Sequence, residues 1–128
     1  MKVIHYWKSI LIALVILYAS LTSGENLDNI HLFKIPFMDK IIHFIMYLVF
    51  SISLLASFKK HTQYKKITQI ILDIIIVVPY GILMEILQYY VATARSSELF
   101  DALSNTVGCL VGILIFPLLS KSKLIKYL

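Results

Sequence analysis

The chain is 128 residues long; 59% of its residues are hydrophobic, 15% are charged, and its formal net charge is +5. Soluble domains are roughly 45–50% apolar, and a chain this short has too little interior to bury the excess, so composition excludes an ordinary soluble globule. The few charges, with four glycines and three prolines, also exclude a disordered or low-complexity chain. The length allows one domain, residues 1–128.

The cysteine content and the charge remove further classes of protein. Cys109 is the single cysteine, so neither an intrachain disulfide nor a cysteine-based zinc site is possible. The basic residues lie between apolar runs, which makes a nucleic-acid partner unnecessary. No cofactor motif is present, so no cofactor and no metal are assigned from the sequence.

Four apolar runs approach the roughly 20 residues that a helix needs to cross a bilayer. Lipid offers no partner to backbone amides, so each run is predicted to be a helix. The sequence therefore predicts an all-α integral membrane four-helix bundle, with helices at about residues 5–23, 40–58, 67–91 and 100–119.

The first apolar run has an alternative interpretation as a signal peptide. Lys2 and Lys8 precede its apolar core, and small residues follow between Ala19 and Gly24. The run extends back to Val3, which makes it longer than a usual signal-peptide core. A retained first span is therefore favoured over cleavage.

The basic residues predict the orientation of the bundle. Nine of them lie at the two termini and in the second loop, and three lie in the first and third loops, namely Lys34, Lys40 and Arg95. Basic flanks stay on the cytoplasmic side of a membrane. Both termini are therefore predicted to be cytoplasmic, and the first and third loops are predicted to face outward.

Polar residues recur on one side of the second predicted helix, near its outer end. Asp39, His43 and Tyr47 are four residues apart, and Lys40 lies beside them. Residues at this spacing share a helix face. Ionisable groups inside an apolar span are candidates for function by default.

The third and fourth predicted helices place polar residues at a similar depth. Glu85 and Gln88 share one face, and Asp101 and Asn105 share another. With a rise of about 1.5 Å per residue, His43, Glu85 and Asn105 would lie roughly 6–9 Å below the outer surface. Three helices that carry polar groups at one depth predict a shared pocket that opens outward.

Structural interpretations compete with this pocket at several positions. A buried pair of Glu85 and His43 could simply set helix register, and Asn105 could be an interhelical link. Gly108 and Gly112 have the small-xxx-small spacing of a close-packing surface. Asp73, near the cytoplasmic end of the third helix, is expected to reach the interface or Lys66 and is left outside the site.

The polar residues form a combined pattern that covers nearly the whole chain. It consists of D-K-x-x-H-x-x-x-Y from Asp39 to Tyr47, E-x-x-Q from Glu85 to Gln88, and R-x5-D-x3-N-x2-G-x3-G from Arg95 to Gly112. The order, the spacing and the four-span hydropathy resemble the VanZ-like family of small bacterial membrane proteins. The characteristic polar positions of that family would then be Asp39, Lys40, His43, Tyr47, Glu85, Gln88, Arg95, Asp101, Asn105 and Gly108.

The resemblance implies a cellular setting. It suggests a multi-pass protein of the bacterial inner (cytoplasmic) membrane that belongs to the cell envelope. It also suggests an association with resistance to teicoplanin-type glycopeptide antibiotics. This chain has no accessory domain, so functions of longer relatives are not carried over to it.

The favoured hypothesis is a pocket that binds the anionic headgroup of an envelope lipid or of a lipid-linked precursor. Lys40 and Arg95 would hold the phosphate, because both side chains suit phosphate oxygens. The other candidate ligand-binding residues would orient these cations or line the pocket: Asp39, His43, Tyr47, Glu85, Gln88, Asp101 and Asn105.

Three other classes of function stay open, and the sequence leans against an enzyme. In an enzyme acting on a lipid-linked phosphate, His43, Glu85 and Asp101 would be the catalytic candidates, or these three and Asp39 could gather a divalent cation. A structural or adaptor protein would use the polar layer to lock the helices together. A proton-coupled carrier would need an oligomer, and the sequence does not define the number of subunits.

Overall fold

The computed structural model describes residues 3–22, 37–91 and 99–122, and the structural statements below concern these residues. A 3-10 helix, Val3–Tyr6, leads into helix α1, Trp7–Leu21. Three longer helices follow: α2, Met38–His61; α3, Lys66–Val91; and α4, Leu99–Leu119. The described residues contain no strand, so the prediction of an all-helical chain is confirmed for them, with each helix end within three residues of the expected position.

All four helical segments are long and apolar enough to cross a membrane. They contain 19, 24, 26 and 21 residues, and their most apolar windows have mean hydropathies between 1.6 and 2.4. At about 1.5 Å per residue, even the shortest segment spans nearly the whole hydrocarbon layer of about 30 Å. The chain is therefore a multi-pass membrane protein by length and composition.

Helix α2 is the centre of the bundle and packs against α1, α3 and α4. Its most apolar window is 61% buried, whereas the corresponding windows of the other helices are 17–28% buried. Large apolar side chains point away from α2, as Leu14, Ile75 and Leu114 do. Such a surface suits lipid tails, which require no polar partner.

The apolar core lies along the α2 face that meets the other three helices. Phe50 and Tyr80 contact edge to face, with ring centroids 5.5 Å apart. The side chains buried together in this core are Ile16, Tyr47, Phe50, Leu54, Phe58, Val77, Met84 and Cys109.

Two glycines allow α2 and α4 to approach at backbone distance. A Cβ atom on Gly108 would overlap the Phe44 carbonyl oxygen, and one on Gly112 would lie 3.0 Å from the Leu48 carbonyl oxygen and from Ser51 Cβ. Any larger residue at Gly108 would therefore push the two helices apart. This close contact fixes how the polar residues of α2 and α4 face each other.

Candidate functional site

The polar side chains meet at the end of the bundle where α2 and α4 begin and α3 ends, which we call the site end. Asp39 lies in the first turn of α2, and Asp101 lies in the first turn of α4. The unpaired amides and the dipole of a helix favour carboxylates at this position. The two helix starts therefore concentrate negative charge at the site end.

A hydrogen-bonded chain below these carboxylates joins three helices. His43 Nδ1 on α2 lies 3.0 Å from Asn105 Oδ1 on α4. Asn105 Nδ2 donates to Glu85 Oε1 on α3 at 3.1 Å, and Glu85 Oε1 also lies 3.5 Å from His43 Nδ1. All three side chains are buried. The sequence prediction that these helices bring polar groups to one depth agrees with this arrangement.

This chain of contacts determines which ring nitrogen of His43 carries a proton. Asn105 Oδ1 and a Glu85 carboxylate oxygen can only accept hydrogen bonds, so His43 Nδ1 must be the donor. The other ring nitrogen, Nε2, faces Asp39, with its Oδ1 atom 3.6 Å away. His43 thus lies between one carboxylate at each ring nitrogen.

Lys40 and Asp101 form an ion pair beside the histidine. Lys40 Nζ lies 3.4 Å from Asp101 Oδ1, and the Lys40 side chain is 25% exposed while that of Asp101 is 1% exposed. Asp39 is also partly exposed, at 37%, whereas His43 is 3% exposed. Exposure therefore falls from Asp39 and Lys40, at the surface of the site end, to the buried His43 and Asp101.

Several buried polar atoms near the site end have no hydrogen-bond partner within the described residues. They are the Tyr47 hydroxyl, both amide atoms of Gln88, and both carboxylate oxygens of Asp101. Such atoms are costly in an apolar interior. These atoms belong to three of the predicted site residues. Much of the unused hydrogen-bonding capacity of the described residues therefore lies near the site end.

Tyr47 and Asn105 pack against the same point on α3. A Cβ atom on Gly81 would lie 3.1 Å from Tyr47 Cε1 and 3.2 Å from Asn105 Cβ. Tyr47 follows His43 by four residues on α2, so it lies about one turn farther from the site end, and it is 1% exposed. Gly81 thus provides the space in which two predicted site residues meet α3.

The remaining predicted residues are placed as follows. Gln88 is fully buried one turn closer to the site end than Glu85. Gly108 and Gly112 lie in the α2–α4 contact. Arg95 lies outside the described residues.

Asp73 corrects one expectation from the sequence. It neither reaches the interface nor pairs with Lys66, because its side chain is fully buried and accepts a hydrogen bond of 2.6 Å from Ser51 Oγ at its Oδ2 atom. Cys109 Sγ lies 3.6 Å from the same oxygen. A second polar cluster, Ser51–Asp73–Cys109, therefore lies deeper in the bundle.

One sequence signal pointed to this second cluster. Ser51 continues the four-residue spacing of Asp39, His43 and Tyr47 along α2, so it lies on the same helix face. Serine and cysteine differ too little from an apolar helix in hydropathy to stand out. Asp73 also has an oxygen, Oδ1, without a hydrogen-bond partner among the described residues.

The chemistry available at the site end combines acids, a base and a cation. Asp39, His43 and Asp101 each offer one ligand atom, and these atoms lie within 4.8 Å of one another. His43 between carboxylates is also an arrangement suited to proton transfer. The partly exposed Lys40 adds an ammonium group at the mouth.

These features define a membrane-spanning helical bundle with a polar site at one end. The sequence model of the family described as VanZ/LLP1 matches residues 3–120, nearly the whole chain. The chain therefore belongs to the VanZ/LLP1 family, in agreement with the resemblance drawn from its polar pattern. No curated protein and no solved structure matches it significantly.

Proposed function

We propose that the site end binds the phosphate headgroup of an anionic envelope lipid or of a lipid-linked envelope precursor. The observation that carries this proposal is the convergence of polar side chains from α2, α3 and α4 below a partly exposed lysine. Each of these groups is costly in lipid, so their collection at one depth supports a polar ligand.

Lys40 is the first contact of the proposed ligand. Its ammonium group is paired with the buried Asp101 and remains 25% exposed. The ion pair holds the side chain near the mouth, where a phosphate oxygen can approach it. Arg95 would supply a bidentate guanidinium, which suits phosphate geometry; this role rests on the sequence pattern.

Buried groups without partners support a ligand rich in hydroxyl or phosphate oxygens. The amide of Gln88 and the hydroxyl of Tyr47 both donate and accept hydrogen bonds, and neither has a partner among the described residues. Sugar hydroxyls of a lipid-linked precursor would satisfy such groups. A purely apolar ligand would leave them unpaired.

The proposed orientation follows the basic residues of the sequence. With both termini and the second loop cytoplasmic, the site end faces the outer leaflet of the inner membrane. Binding there would change which lipid-linked molecules reach the cell surface. This would connect the site to the teicoplanin-type resistance that the family resemblance suggests.

Binding of lipid vesicles to the purified protein tests the proposal. Protein in nanodiscs is mixed with vesicles that contain a polyprenyl phosphate, phosphatidylglycerol, or only phosphatidylcholine as the zwitterionic reference. We expect Lys40→Ala to weaken binding of the phosphate ligands at least 10-fold and Lys40→Arg to retain much of it. Lys66→Ala, at the start of α3 and the other end of the bundle, is the matched control. Wild-type affinity in Lys40→Ala would refute the role of this site.

A cellular experiment tests the role of Arg95 and the link to antibiotics. In a strain whose teicoplanin susceptibility changes when this chain is expressed, Arg95→Ala should abolish the change while membrane insertion and abundance stay the same. Activity that survives this substitution would remove the phosphate role of Arg95.

A second candidate function is favoured by the contacts of His43. Its two ring nitrogens face Glu85 and Asp39, at 3.5 Å and 3.6 Å, so it could pass a proton during hydrolysis or transfer at a lipid-linked phosphate. Release of the headgroup from a polyprenyl diphosphate by purified protein would favour this enzyme. Binding of the lipid without release of its headgroup would favour the lipid-binding function.

A further inference from the structure

The site end carries more carboxyl groups than a phosphate-binding site alone requires. Asp39, Glu85 and Asp101 surround His43, and Lys40 pairs with Asp101. An anionic ligand that entered this pocket would meet carboxylates as well as lysine. A bound cation would remove the conflict.

The second ring nitrogen of His43, Nε2, faces one of these carboxylates, that of Asp39. The His43 Nδ1 atom donates toward Asn105 and Glu85, which leaves the Nε2 lone pair facing Asp39 in the neutral ring. In protein metal sites a histidine ligand commonly donates a hydrogen bond from its second ring N–H to a carbonyl or carboxylate oxygen, which orients the ring. Asn105 and Glu85 occupy that position here.

Asp101 gives a second, independent indication of a ligand. Its side chain is 1% exposed, and neither of its carboxylate oxygens accepts a hydrogen bond from the described residues. The ion pair with Lys40 is long, at 3.4 Å, and approaches one oxygen. A buried carboxylate group that has one long ion pair and no hydrogen-bond donor among the described residues can accept a closer positive partner.

We propose that Asp39, His43 and Asp101 bind a divalent cation such as Zn²⁺ or Mn²⁺ at the site end, and that this ion takes a phosphate oxygen of the ligand. The second half of this statement rests on the proposed function, whereas binding of the ion does not. The three ligand atoms lie within 4.8 Å of one another. For metal–ligand bonds of about 2.0–2.2 Å, the three ligand atoms would have to move roughly 1 Å closer to one another.

The types of ligand define the class of ion. One imidazole nitrogen and two carboxylate oxygens suit the borderline transition ions better than Ca²⁺ or Mg²⁺, which prefer oxygen alone. Three protein ligands leave at least one coordination position for an oxygen of the bound molecule. Asp39 is partly exposed, so that position would open toward the mouth, beside Lys40.

The ion would also change the role of Lys40. Once Asp101 coordinates the cation, its ion pair with Lys40 weakens, and the ammonium group becomes available to a second phosphate oxygen. The ion and the lysine would then hold one phosphate from two sides.

Titration of metal-stripped protein in detergent tests the site without any lipid. His5 and His61 stack with ring centroids 4.1 Å apart at the other end of the bundle and could take up metal adventitiously, so the background protein carries His5→Ala and His61→Ala. We expect one equivalent of Mn²⁺ or Zn²⁺ to bind this background. Bound Mn²⁺ should show spin-echo modulation from one histidine nitrogen.

Substitutions identify the ligands. Asp39→Asn and Asp101→Asn should each weaken binding at least 10-fold. Asp39 is at the partly exposed mouth, so its variant remains informative if Asp101→Asn fails to fold. Asp73→Asn, which changes a buried carboxyl group outside the three ligands, is the control and should bind as the background does. Absence of metal binding to the background, or equal affinity in Asp39→Asn, overturns the proposal.

Vesicle binding in the presence of EDTA separates the two proposals. Loss of phosphate-lipid binding on chelation, with recovery on adding Mn²⁺, supports the bridging ion. Lipid binding that is insensitive to EDTA overturns the bridging role of the ion and leaves the proposed function intact. Metal binding by the protein without any phosphate-lipid binding overturns the proposed function and the bridging role, and retains the metal site.

Discussion

His43 on α2 and Asn105 on α4 are joined by a contact of 3.0 Å between Nδ1 and Oδ1. The amide of Asn105 simultaneously donates to Glu85 on α3. One side chain thus connects three helices at the depth of the polar site. A short amide serves well here because it donates and accepts at once, which makes it a favoured link between helices in lipid.

Asn105→Ala should destabilise the bundle. The substitution leaves His43 Nδ1 and Glu85 Oε1 without their shared partner in a buried environment, at a cost of about 1–3 kcal/mol. Equilibrium unfolding in mixed detergent and SDS measures the change. Thr106→Ala, one residue along α4, removes a hydrogen bond to its own helix and serves as the control. A loss no larger than that of Thr106→Ala would contradict the bridging role.

The stability lost on replacing a glycine of α3 or α4 by alanine should follow the room around that glycine. Gly108→Ala places a methyl group onto the Phe44 carbonyl oxygen, which cannot move without α2, so we expect a loss of about 1–3 kcal/mol. Gly112→Ala should cost less. Gly81→Ala should cost least, because the nearest atoms there belong to the side chains of Tyr47 and Asn105. The same unfolding measurement tests the ranking, and a milder effect at Gly108 than at Gly81 would refute it.

Ser51→Ala should weaken the deeper polar cluster. Ser51 Oγ donates to Asp73 Oδ2 at 2.6 Å, and loss of this donor leaves a buried carboxyl group less satisfied, at a cost of about 1–3 kcal/mol. Ser104→Ala is the control, because Ser104 bonds to the backbone of its own helix. If both substitutions cost the same, Asp73 does not depend on Ser51.

The membrane orientation can be tested by labelling introduced cysteines. Native Cys109 is fully buried, so the wild-type protein should react little with an impermeant maleimide. Phe37 and Tyr64 are exposed at opposite ends of α2. In intact cells we expect Phe37→Cys to be labelled from outside, and Tyr64→Cys to be labelled only after permeabilisation. The reverse pattern would invert the predicted topology.

The fold and much of the site follow from simple sequence patterns. Hydropathy marked four helices because a span needs about 20 apolar residues, and that requirement leaves little freedom in where the helices lie. The four-residue spacing of Asp39 and His43 on α2 placed both on one face, and depth counting placed Glu85 and Asn105 beside them. The observed contacts among these residues are consistent with that geometric reasoning.

The partners of Asp73 could not be predicted in the same way. Its position seven residues into α3 suggested that it reaches the nearby interface, but burial depends on how helices rotate against one another. The α2–α4 contact at Gly108 and Gly112 brings Ser51 and Cys109 together, and the rotation of α3 turns Asp73 toward them. The spacing of residues on a single helix carries no information about it.

The close contact between α2 and α4 also decides which part of the molecule can adjust. Asp39, His43 and Asp101 all belong to this pair of helices, whose backbones touch at Gly108, whereas Glu85 and Gln88 belong to α3. A shift of α3 would therefore alter the support behind the histidine and the width of the entrance, while the two aspartates kept their separation. The two aspartates thus keep their relative geometry for as long as the contact between α2 and α4 is intact.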